Sequence, residues 1–317
     1  MLRLAVTGAN GQVATALGEL APARGVELVA VHRPDLDLAR PDTVLAALRA
    51  AEPDVVVSAA AFTAVDRAES ESELAFAVNA AGAGAVAAAA AELAVPVIHL
   101  SSDYVFDGTL SRPYDETDPP APLNVYGASK LAGERKVARA NNNHAILRTA
   151  WVYGPVGRNF LLTMQRLAGE RGQVCVVEDQ FGNPTSALDI ADAVVTIAGN
   201  LKSAPDDAGL RGVFHLAGGG EASWADFAEA IMNGLAARGR PYADVKRIQT
   251  SQYPTAAKRP ANSRLDCAKV AERHGVRLPD WRRSTAMVIE RVAGAGPGRS
   301  QGVGGWAPHH AGQQSPL

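Results

Sequence analysis

A tyrosine and a lysine four residues apart are the first candidates for chemistry in this sequence. Tyr126 and Lys130 form a Y-x-x-x-K pattern, and residues at i and i+4 share one face of a helix. The phenol and the ammonium can therefore point into one cleft, where the positive charge is expected to lower the pKa of Tyr126 towards neutrality. Such a phenol can give a proton to an oxygen that gains negative charge. The pattern alone is a weak signal, because it also arises by chance.

A serine supplies a third polar group if the fold brings it beside this pair. Ser102 follows an apolar run at Val95–Ser101, which is typical of a strand buried on both faces. The carboxyl ends of neighbouring parallel strands meet at one edge of a sheet, where a ligand crevice forms. We expect Ser102, Tyr126 and Lys130 to flank that crevice, with the Ser102 hydroxyl donating to a substrate carbonyl. The alternative is three unrelated surface residues.

A glycine turn near the start of the sequence predicts a site for a dinucleotide. An apolar run is followed by Gly8 and Gly11, and Ala14 lies in the helical pattern that comes next. Glycines let the backbone turn sharply and approach a pyrophosphate, whose charge a helix N-terminus stabilises. The turn follows the first strand of an alternating series, which favours a nicotinamide cofactor over a tight turn without a ligand.

The residue after the second predicted strand bears on which nicotinamide cofactor is used. An acidic side chain there would bond the ribose hydroxyls of NADH, whereas Arg33 can pair with the 2′-phosphate of NADPH. The sequence therefore favours NADPH and leaves NADH open. A solvated surface arginine is the competing interpretation.

Short apolar runs alternate with helical patterns through the first half of the chain. Such alternation predicts a parallel sheet covered by helices on both faces. The predicted strands are Leu2–Thr7, Glu27–His32, Asp54–Ala59, Val95–Ser101 and Ala145–Thr149. The predicted helices are Gly11–Leu20, Pro41–Ala51, Ser72–Ala94 and Asn124–Ala140. The fold class is therefore α/β, with a Rossmann-type doubly wound parallel sheet over residues 1–150 that binds the cofactor.

The second half has a less regular pattern and predicts a smaller mixed α/β domain, residues 151–292, that mainly binds substrate. The predicted helices are Asn159–Gly169, Ala187–Gly199 and Ser223–Arg238. The predicted strands are Gln173–Val177, Gly212–Leu216 and Val245–Thr250. Segments near 187–217 are expected to return to the first domain. Residues 293–317 are rich in Gly, Pro, Gln and His and are expected to be disordered.

Composition and charge argue against several classes of protein. The net charge is -2 with both signs interspersed, so we expect no nucleic-acid partner. We also expect no membrane span, because the tract Ala80–Ala94 is shorter than the ~20 apolar residues that a span needs. No leader pattern opens the sequence, so a cytoplasmic location is expected. Cys175 and Cys267 have no metal-ligand or redox spacing, and no metal site is predicted.

Seven blocks in order make the sequence similar to the extended short-chain dehydrogenase/reductase superfamily, and within it to the dTDP-4-dehydrorhamnose reductase family. The first four are T-G-A-N-G-Q-V at 7–13, A-A-A-F-T-A-V-D-R-A-E at 59–69, S-S-D-Y-V-F-D-G at 101–108 and N-V-Y-G-A-S-K-L-A-G-E at 124–134. The others are R-T-A-W-V-Y-G at 148–154, D-Q-F-G-N-P-T at 179–185 and R-P-A-N-S-R-L-D at 259–266. The resemblance spans about residues 2–290.

This resemblance implies a cofactor site and a substrate site. The residues expected near the cofactor phosphates, with Gly8 of the turn, are Asn10, Gly11, Gln12 and Val13. Those expected near the adenine, ribose and nicotinamide are Asp37, Leu38, Ala61, Phe62 and Thr63. The implied catalytic residues are Ser102, Tyr126 and Lys130, the last two also touching the cofactor. The implied substrate contacts are Ser102, Asp103 and Trp151, although a tryptophan after a buried strand could equally belong to the core.

The diphosphate of a nucleotide-linked sugar needs a cation outside the glycine turn, which serves the cofactor. Arg259 lies in a basic segment of the second half, within one of the seven blocks. Arginine suits phosphate oxygens because it can bind them in a bidentate way. We therefore expect Arg259 to bind the substrate diphosphate, with an ordinary solvated loop as the alternative.

The block at 101–108 also separates reaction types within the superfamily. Related sugar-nucleotide dehydratases carry an acidic pair where this sequence has Asp103 and Tyr104, so simple reduction is favoured over elimination. The resemblance thus implies that NAD(P)H reduces the C4 keto group of dTDP-4-dehydro-6-deoxy-L-mannose to give dTDP-L-rhamnose. Two alternatives stay open: reduction of another dTDP-deoxysugar, and a non-catalytic NADP-binding regulatory subunit. Some relatives bind a divalent ion between subunits, so Mg²⁺ and a homodimer also stay open.

Overall fold

The structure, a computed structural model, describes residues 1–294. Its strands are β1 (Leu2–Thr7), β2 (Val26–Val31), β3 (Val55–Ser58), β4 (Val97–Ser102), β5 (His144–Thr149), β6 (Val152–Tyr153), β7 (Gln173–Val177), β8 (Phe181–Gly182), β9 (Thr185–Ser186), β10 (Gly212–His215), β11 (Ala222–Ser223) and β12 (Asp244–Ile248). Its α-helices are α1 (Gln12–Leu20), α2 (Val44–Ala51), α3 (Val65–Ala68), α4 (Ser72–Phe76), α5 (Ala83–Glu92), α6 (Val125–Ala140), α7 (Phe160–Glu170), α8 (Ala187–Ser203), α9 (Trp224–Ala236), α10 (Ala268–His274) and α11 (Trp281–Gly294).

The central sheet has six strands in the order β10-β5-β4-β3-β1-β2, and every neighbouring pair is parallel. From β1 the chain moves outwards to β2 on one side, and from β3 it moves outwards through β4, β5 and β10 on the other. The direction of winding therefore changes between β1 and β3, and ligands of such sheets bind at the carboxyl ends of the strands there. The predicted Rossmann-type α/β fold is confirmed.

Helices cover both faces of this sheet, as the continuous apolar strands require. Val6 and Leu147 pack on the face covered by α1 and α8, whereas Ala5 and Ile146 pack on the face covered by α2 and α5. This alternation follows from the two-residue period of side chains along a strand. The two cores hold the strand ends, and hence the crevice, in fixed register.

The helix predicted at Ser72–Ala94 is one helical stretch that changes character in the middle. A π-helical segment, Ala77–Gly82, joins α4 to α5, and a Cβ at Gly82 would overlap the backbone of Leu38. By length and composition alone, Ser72–Glu92 could cross a membrane, since it has 21 residues and a mean hydropathy of 1.7. Half of that stretch is buried, however, and α5 packs against α2 and α6. A core helix satisfies the same criteria.

The second half of the chain forms its own apolar core beside the sheet. This core contains Tyr153, Phe227 of α9 and Trp281 of α11 together with residues of α7. Beside it, β7 pairs in parallel with β12. Two later elements join the first half instead, because β10 pairs with β5 and α8 packs against α1. The division near residue 150 stays a prediction.

Two helices near the end of the described chain, α10 and α11, were not predicted. In α11 the buried face includes Ser284 and Thr285, which interrupt the apolar spacing that would have indicated a helix. Thr285 donates to the carbonyl of Trp281, and Ser284 donates to Asp189, so both hydroxyls are paired. The predicted disordered tail begins too early, since Ala293 and Gly294 complete α11, and its remainder, 295–317, lies outside the described residues.

Candidate active site

The glycine turn joins β1 to α1 at the carboxyl edge of the sheet. Gly8 has a φ of +89°, which glycine adopts without strain, and a Cβ there would lie 3.0 Å from the Cβ of Ala60. The turn therefore presses against the end of β3. Thr7 is fully buried, and its hydroxyl accepts the N–H groups of Ala59 and Ala60 at 3.1 and 3.0 Å. These bonds fix the spacing between the two strand ends.

The start of α1 fits a cofactor pyrophosphate. Asn10 and Gly11 are exposed, Val13 is buried, and no side chain caps the helix at Gly11. Free N–H groups at an uncapped helix start, behind a turn without side-chain bulk, suit an anion. The side chain of Gln12 faces the second half instead, where Asn159 Nδ2 donates to Gln12 Oε1 at 2.9 Å.

The connection after β2 places the residues predicted near the adenine. Arg33 is exposed directly beyond the strand end. Asp37 accepts the N–H of Ala39 at 3.0 Å, and Leu38 is buried with its backbone against Gly82. Asp37 and Leu38 therefore shape this connection, while the Arg33 side chain is accessible to a ligand.

Strand β4 and helix α6 bring Ser102 and Tyr126 together and bond Lys130 to the backbone of the strand. The Ser102 hydroxyl lies close enough to Tyr126 to lower the pKa of the phenol. Lys130 is 2% exposed, and its Nζ donates to the carbonyl of Leu100 in β4 at 2.7 Å. Ser102 also donates to Asp103 Oδ1 at 3.0 Å. The structure thus brings Ser102 close to Tyr126, and the catalytic role of the three residues stays a prediction.

Burial, rather than the lysine, governs the pKa of Tyr126. Burial raises it to about 12, and the Asp103 carboxylate also raises it, against the opposing effect of Ser102. The expectation that Lys130 lowers this pKa towards neutrality is wrong for this arrangement, because the ammonium donates to the Leu100 carbonyl. Burial also lowers the pKa of Lys130 to about 8, although Glu134 raises it.

Two glycines let α6 lie directly against the turn after β4 and against the π-helical segment Ala77–Gly82. A Cβ at Gly127 would overlap the carbonyl oxygen of Tyr104, and a Cβ at Gly133 would overlap the carbonyl oxygen of Asn79. Asn124 caps the helix, its Oδ1 accepting the N–H of Gly127 at 2.7 Å. Steric contacts therefore explain the glycines of the block at 124–134, since these residues set how closely Tyr126 and Lys130 approach the strand ends.

Asn79 joins the loop after β3 to the helix that carries Tyr126, and the sequence analysis did not single it out. Its Oδ1 accepts the N–H of Phe62 at 2.8 Å, and its Nδ2 donates to Phe62 O at 3.0 Å and to Ser129 Oγ at 2.9 Å. These bonds hold half-buried Ala61 and Phe62, and exposed Thr63, beside α6. The feature of the sequence that could have identified Asn79 is a single asparagine within an otherwise apolar tract.

Asp103 is a buried acid next to Ser102. It is 3% exposed, and burial raises its pKa to about 7, although the hydroxyls of Ser263 and Ser102 lower it. The carboxyl group is therefore partly protonated near neutral pH and can donate a hydrogen bond as well as accept one. The next residue, Tyr104, is a buried tyrosine and not a second acid, so no carboxylate follows Asp103 in the sequence.

Trp151 is held in a strained conformation at the start of the second half. Its φ is +47°, which is uncommon for a residue with a bulky side chain. The ring stacks on Trp224 with centroids 3.6 Å apart and planes 6° apart, and Gly182 lies so close that a Cβ there would overlap the indole. The half-buried ring is therefore fixed from two sides. Strain of this kind clusters at ligand sites.

Arg259 reaches the crevice from the second half but already has a partner. Its Nη2 donates to Asp66 Oδ2 at 2.8 Å, and the Arg259 side chain is 15% exposed. Arg259 also interacts with Tyr104, whose ring packs edge-on against Tyr126 with centroids 6.1 Å apart. One aromatic ring thus separates the guanidinium from the phenol. The ion pair with Asp66 was not predicted.

The crevice combines an anion-binding turn with a phenol, an ammonium and a hydroxyl. Such a set can hold a dinucleotide beside a carbonyl compound and protonate the carbonyl oxygen. Across residues 1–294, no group of three or more His, Cys, Asp or Glu side chains is arranged to hold a metal ion. The glycine turn and the polar side chains beside it support cofactor-dependent reduction.

Known proteins share this sequence and this fold. Residues 2–293 match the family model described as the RmlD substrate binding domain. The chain is 53% identical over 289 residues to a dTDP-4-dehydrorhamnose reductase of Sinorhizobium fredii, covering 91% of this chain and 97% of that protein. The corresponding protein of Escherichia coli K12 is 42% identical over 296 residues, with 92% and 98% covered.

Solved structures agree with the sequence relatives. The crystal structure of dTDP-4-dehydrorhamnose reductase from Bacillus anthracis in complex with NADP has a TM-score of 0.84 and 33% sequence identity, covering 92% of this chain and 100% of that one. Sequence identity of this extent over nearly the whole chain shows common descent. The chain therefore belongs to the dTDP-4-dehydrorhamnose reductase family.

Proposed function

We propose that this protein uses a nicotinamide cofactor to reduce the C4 keto group of dTDP-4-dehydro-6-deoxy-L-mannose, giving dTDP-L-rhamnose. The observation that carries the proposal is the approach of Ser102 to Tyr126 at the end of β4, with Lys130 bonded to the same strand, in the sheet whose first strand ends at the glycine turn. The names of the relatives supply the substrate.

The cofactor would lie across the carboxyl ends of β1 to β4. The residues proposed to hold its phosphates and adenine are Gly8, Asn10, Gly11, Gln12, Val13, Asp37 and Leu38, and those proposed for its ribose and nicotinamide are Ala61, Phe62, Thr63, Tyr126 and Lys130. When bound, the nicotinamide supplies the hydride for C4 of the sugar. Exposed Arg33 favours NADPH, and the NADP complex of the Bacillus anthracis relative supports this choice.

Tyr126 is the proposed general acid. Its phenol, whose pKa burial raises to about 12, is protonated at neutral pH, so the proton is available when O4 of the sugar gains negative charge. Ser102 donates a hydrogen bond to the same oxygen and stabilises that charge. Lys130 donates to the Leu100 carbonyl in this arrangement, and its proposed role is to hydrogen-bond the nicotinamide ribose and so hold the cofactor beside Tyr126.

The second half supplies the proposed contacts to the nucleotide-linked sugar. Asp103 and the fixed ring of Trp151 would contact the sugar, and Arg259 would bind the diphosphate. Because Asp66 already accepts from Arg259, the diphosphate must use the remaining N–H groups of the guanidinium or replace the carboxylate. Arg259 keeps enough donors for the first arrangement.

Location and assembly stay proposals of the same kind. We place the enzyme in the cytoplasm, where nucleotide-linked sugars and reduced cofactors are available, and the free thiols of Cys175 and Cys267 are consistent with a reducing compartment. A homodimer and a requirement for Mg²⁺ stay predictions from the resemblance.

A coupled assay tests the proposed reaction. The 4-keto-L-sugar is made in situ from its precursor, NADPH consumption is followed by absorbance, and the product is identified by NMR. We expect stoichiometric formation of dTDP-L-rhamnose. A product with the opposite configuration at C4 would favour a related 4-ketoreductase, and tight NADPH binding without turnover would favour a regulatory subunit.

A further inference from the structure

A buried ion pair lies next to the proposed catalytic residues and has no part in the reaction as described above. Arg148 Nη2 donates to Glu134 Oε2 at 2.7 Å, and Arg148 Nε donates to Glu134 Oε1 at 3.0 Å. The Ser101 hydroxyl donates to Glu134 Oε1 at 2.5 Å. Both charged side chains are 5% exposed. One carboxylate therefore joins α6 to β4 and β5.

Each member of this cluster adjoins a residue of the site. Ser101 immediately precedes Ser102 in β4, and Arg148 of β5 pairs in register with Ser101. Glu134 follows Lys130 by four residues, so the carboxylate and the ammonium share one face of α6. Removing two charges from water costs free energy that their attraction does not reliably return. A buried pair in this place therefore suggests a use other than stability.

We propose that Glu134 is a positioning residue for the reduction, which holds Ser102 and Lys130 at their spacing and supplies the negative charge that keeps Lys130 an ammonium. The proposal rests on the proposed function, in which Lys130 acts beside Tyr126. Glu134, the last residue of the block at 124–134, would then contribute to the reaction through Ser102 and Lys130.

Other titratable or charged groups face this region from the elements packed against α6. They are His99 in β4, Asp103 and Tyr104 in the turn after β4, Tyr126 in α6, Arg148 in β5 and Arg259 beside Tyr104. Burial holds the pKa of His99 well below its ordinary value, so this imidazole stays neutral. The carboxylate of Glu134 is the group that raises the pKa of Lys130 against burial.

Removal of the Glu134 charge lowers the pKa of Lys130 further. Without that negative charge, the ammonium of Lys130 loses its proton at a lower pH. Because the cofactor is proposed to need this ammonium, the alkaline limit of activity must move to lower pH.

The test is the pH profile of kcat for E134Q, which keeps the shape of the side chain. We expect the alkaline limit to fall by about one pH unit, while KM for the sugar and the NADPH dissociation constant stay within about twofold at acidic pH. S101A removes a hydrogen bond but keeps the charge, so its alkaline limit should match the wild type. E92Q, which breaks the exposed pair with Arg49, is the matched control and should leave activity unchanged.

A direct readout is the titration of Lys130 by NMR with ¹³C-labelled lysine. The chain has six lysines, so K130R identifies the signal by its loss. We expect Lys130 to titrate below the other lysines in the wild type, and lower still in E134Q. An unmoved alkaline limit and an unmoved Lys130 titration in E134Q would overturn the proposal.

A second variant serves if E134Q, which leaves Arg148 buried without its carboxylate, does not fold. E134Q/R148M removes both charges and fills similar volume. Because Lys130 bonds to β4 and Arg148 lies on β5, one strand further away, the loss of Glu134 dominates and the alkaline limit should still fall. An unchanged limit in this folded variant would equally contradict the role of Glu134.

The proposal and the proposed function fail in different ways. Activity retained by Tyr126→Phe would remove the reduction mechanism itself. An inactive Tyr126→Phe together with a wild-type profile for E134Q would leave that mechanism in place and reject only the role of Glu134.

Discussion

At the scale of single residues, burial shifts the pKa values of the polar side chains in the crevice. Tyr126 and Asp103 hold their protons to higher pH than they would in water, and Lys130 loses its proton at lower pH. Each shift opposes the charged form, as desolvation does. The crevice therefore presents a protonated phenol at neutral pH, which suits reduction of a ketone.

Arg33→Ala should weaken NADPH binding more than NADH binding, because only NADPH carries a 2′-phosphate. A charge-assisted contact is worth about 1.5–3 kcal/mol, or about 10- to 150-fold in affinity. We expect the lower end, since Arg33 is exposed. Fluorescence titration with both cofactors measures the effect, with Arg40→Ala as a control from the same connection. Equal losses for the two cofactors would make Arg33 an ordinary surface residue.

Arg259→Ala should raise KM for the dTDP-sugar by about tenfold or more and leave NADPH affinity within about twofold. The physical reason is that, of the two bound ligands, the guanidinium is proposed to contact only the substrate, through its diphosphate. Steady-state kinetics with each substrate varied in turn provides the test. Arg247→Ala, which breaks an exposed pair with Glu229 elsewhere in the second half, is the control. A wild-type KM in Arg259→Ala would mean that other residues hold the diphosphate.

At the scale of elements, the position of α6 depends on backbone contacts that only glycine allows. Gly127 and Gly133 meet the carbonyl oxygens of Tyr104 and Asn79, one on each side of Lys130. The helix is therefore set by contacts with rigid backbone. A shift of α6 would move both proposed catalytic side chains together.

Gly133→Ala should destabilise the protein by about 2 kcal/mol, because the new methyl group overlaps a backbone oxygen. It should also lower kcat, since α6 carries Tyr126 and Lys130. Gly199→Ala is the matched control, being a glycine inside α8 with nothing within 4 Å of the added Cβ. That change should stabilise by up to about 1 kcal/mol. Denaturant unfolding of both variants measures the difference, and equal stabilities would contradict the steric explanation.

The same elements show what could be predicted from sequence. Strands β1, β3, β4 and β5 are short and mainly apolar, without a regular alternation of polar residues, so they could be predicted as strands buried on both faces. The catalytic helix was recognisable because Asn124 and the Y-x-x-x-K pair mark its start. Helix α11 was not recognisable, because Ser284 and Thr285 interrupt its apolar face. Their hydroxyls form hydrogen bonds within the apolar core of the second half.

At the scale of the whole molecule, three of the hydrogen bonds between the two halves of the chain involve residues of the proposed site or their sequence neighbours. Asn159 donates to Gln12 of the glycine turn, Arg259 pairs with Asp66 after β3, and Asn124 at the start of α6 donates to the carbonyl of Lys258. These partners are far apart in sequence, so no local pattern could have indicated them. The sequence supplied candidate residues for the site, whose roles stay predictions, but not the hydrogen bonds that join the proposed cofactor side to the proposed substrate side.

The central claim is that Tyr126 protonates the sugar oxygen during reduction, and Tyr126→Phe tests it most directly. The measurement is kcat with the dTDP-4-keto sugar and NADPH, with the NADPH dissociation constant determined on the same preparation. We predict a loss of about 10²–10⁴-fold in kcat with cofactor affinity nearly unchanged, because the variant removes only the proton donor. Near-normal turnover by the folded variant would contradict the assignment and require another acid in the crevice.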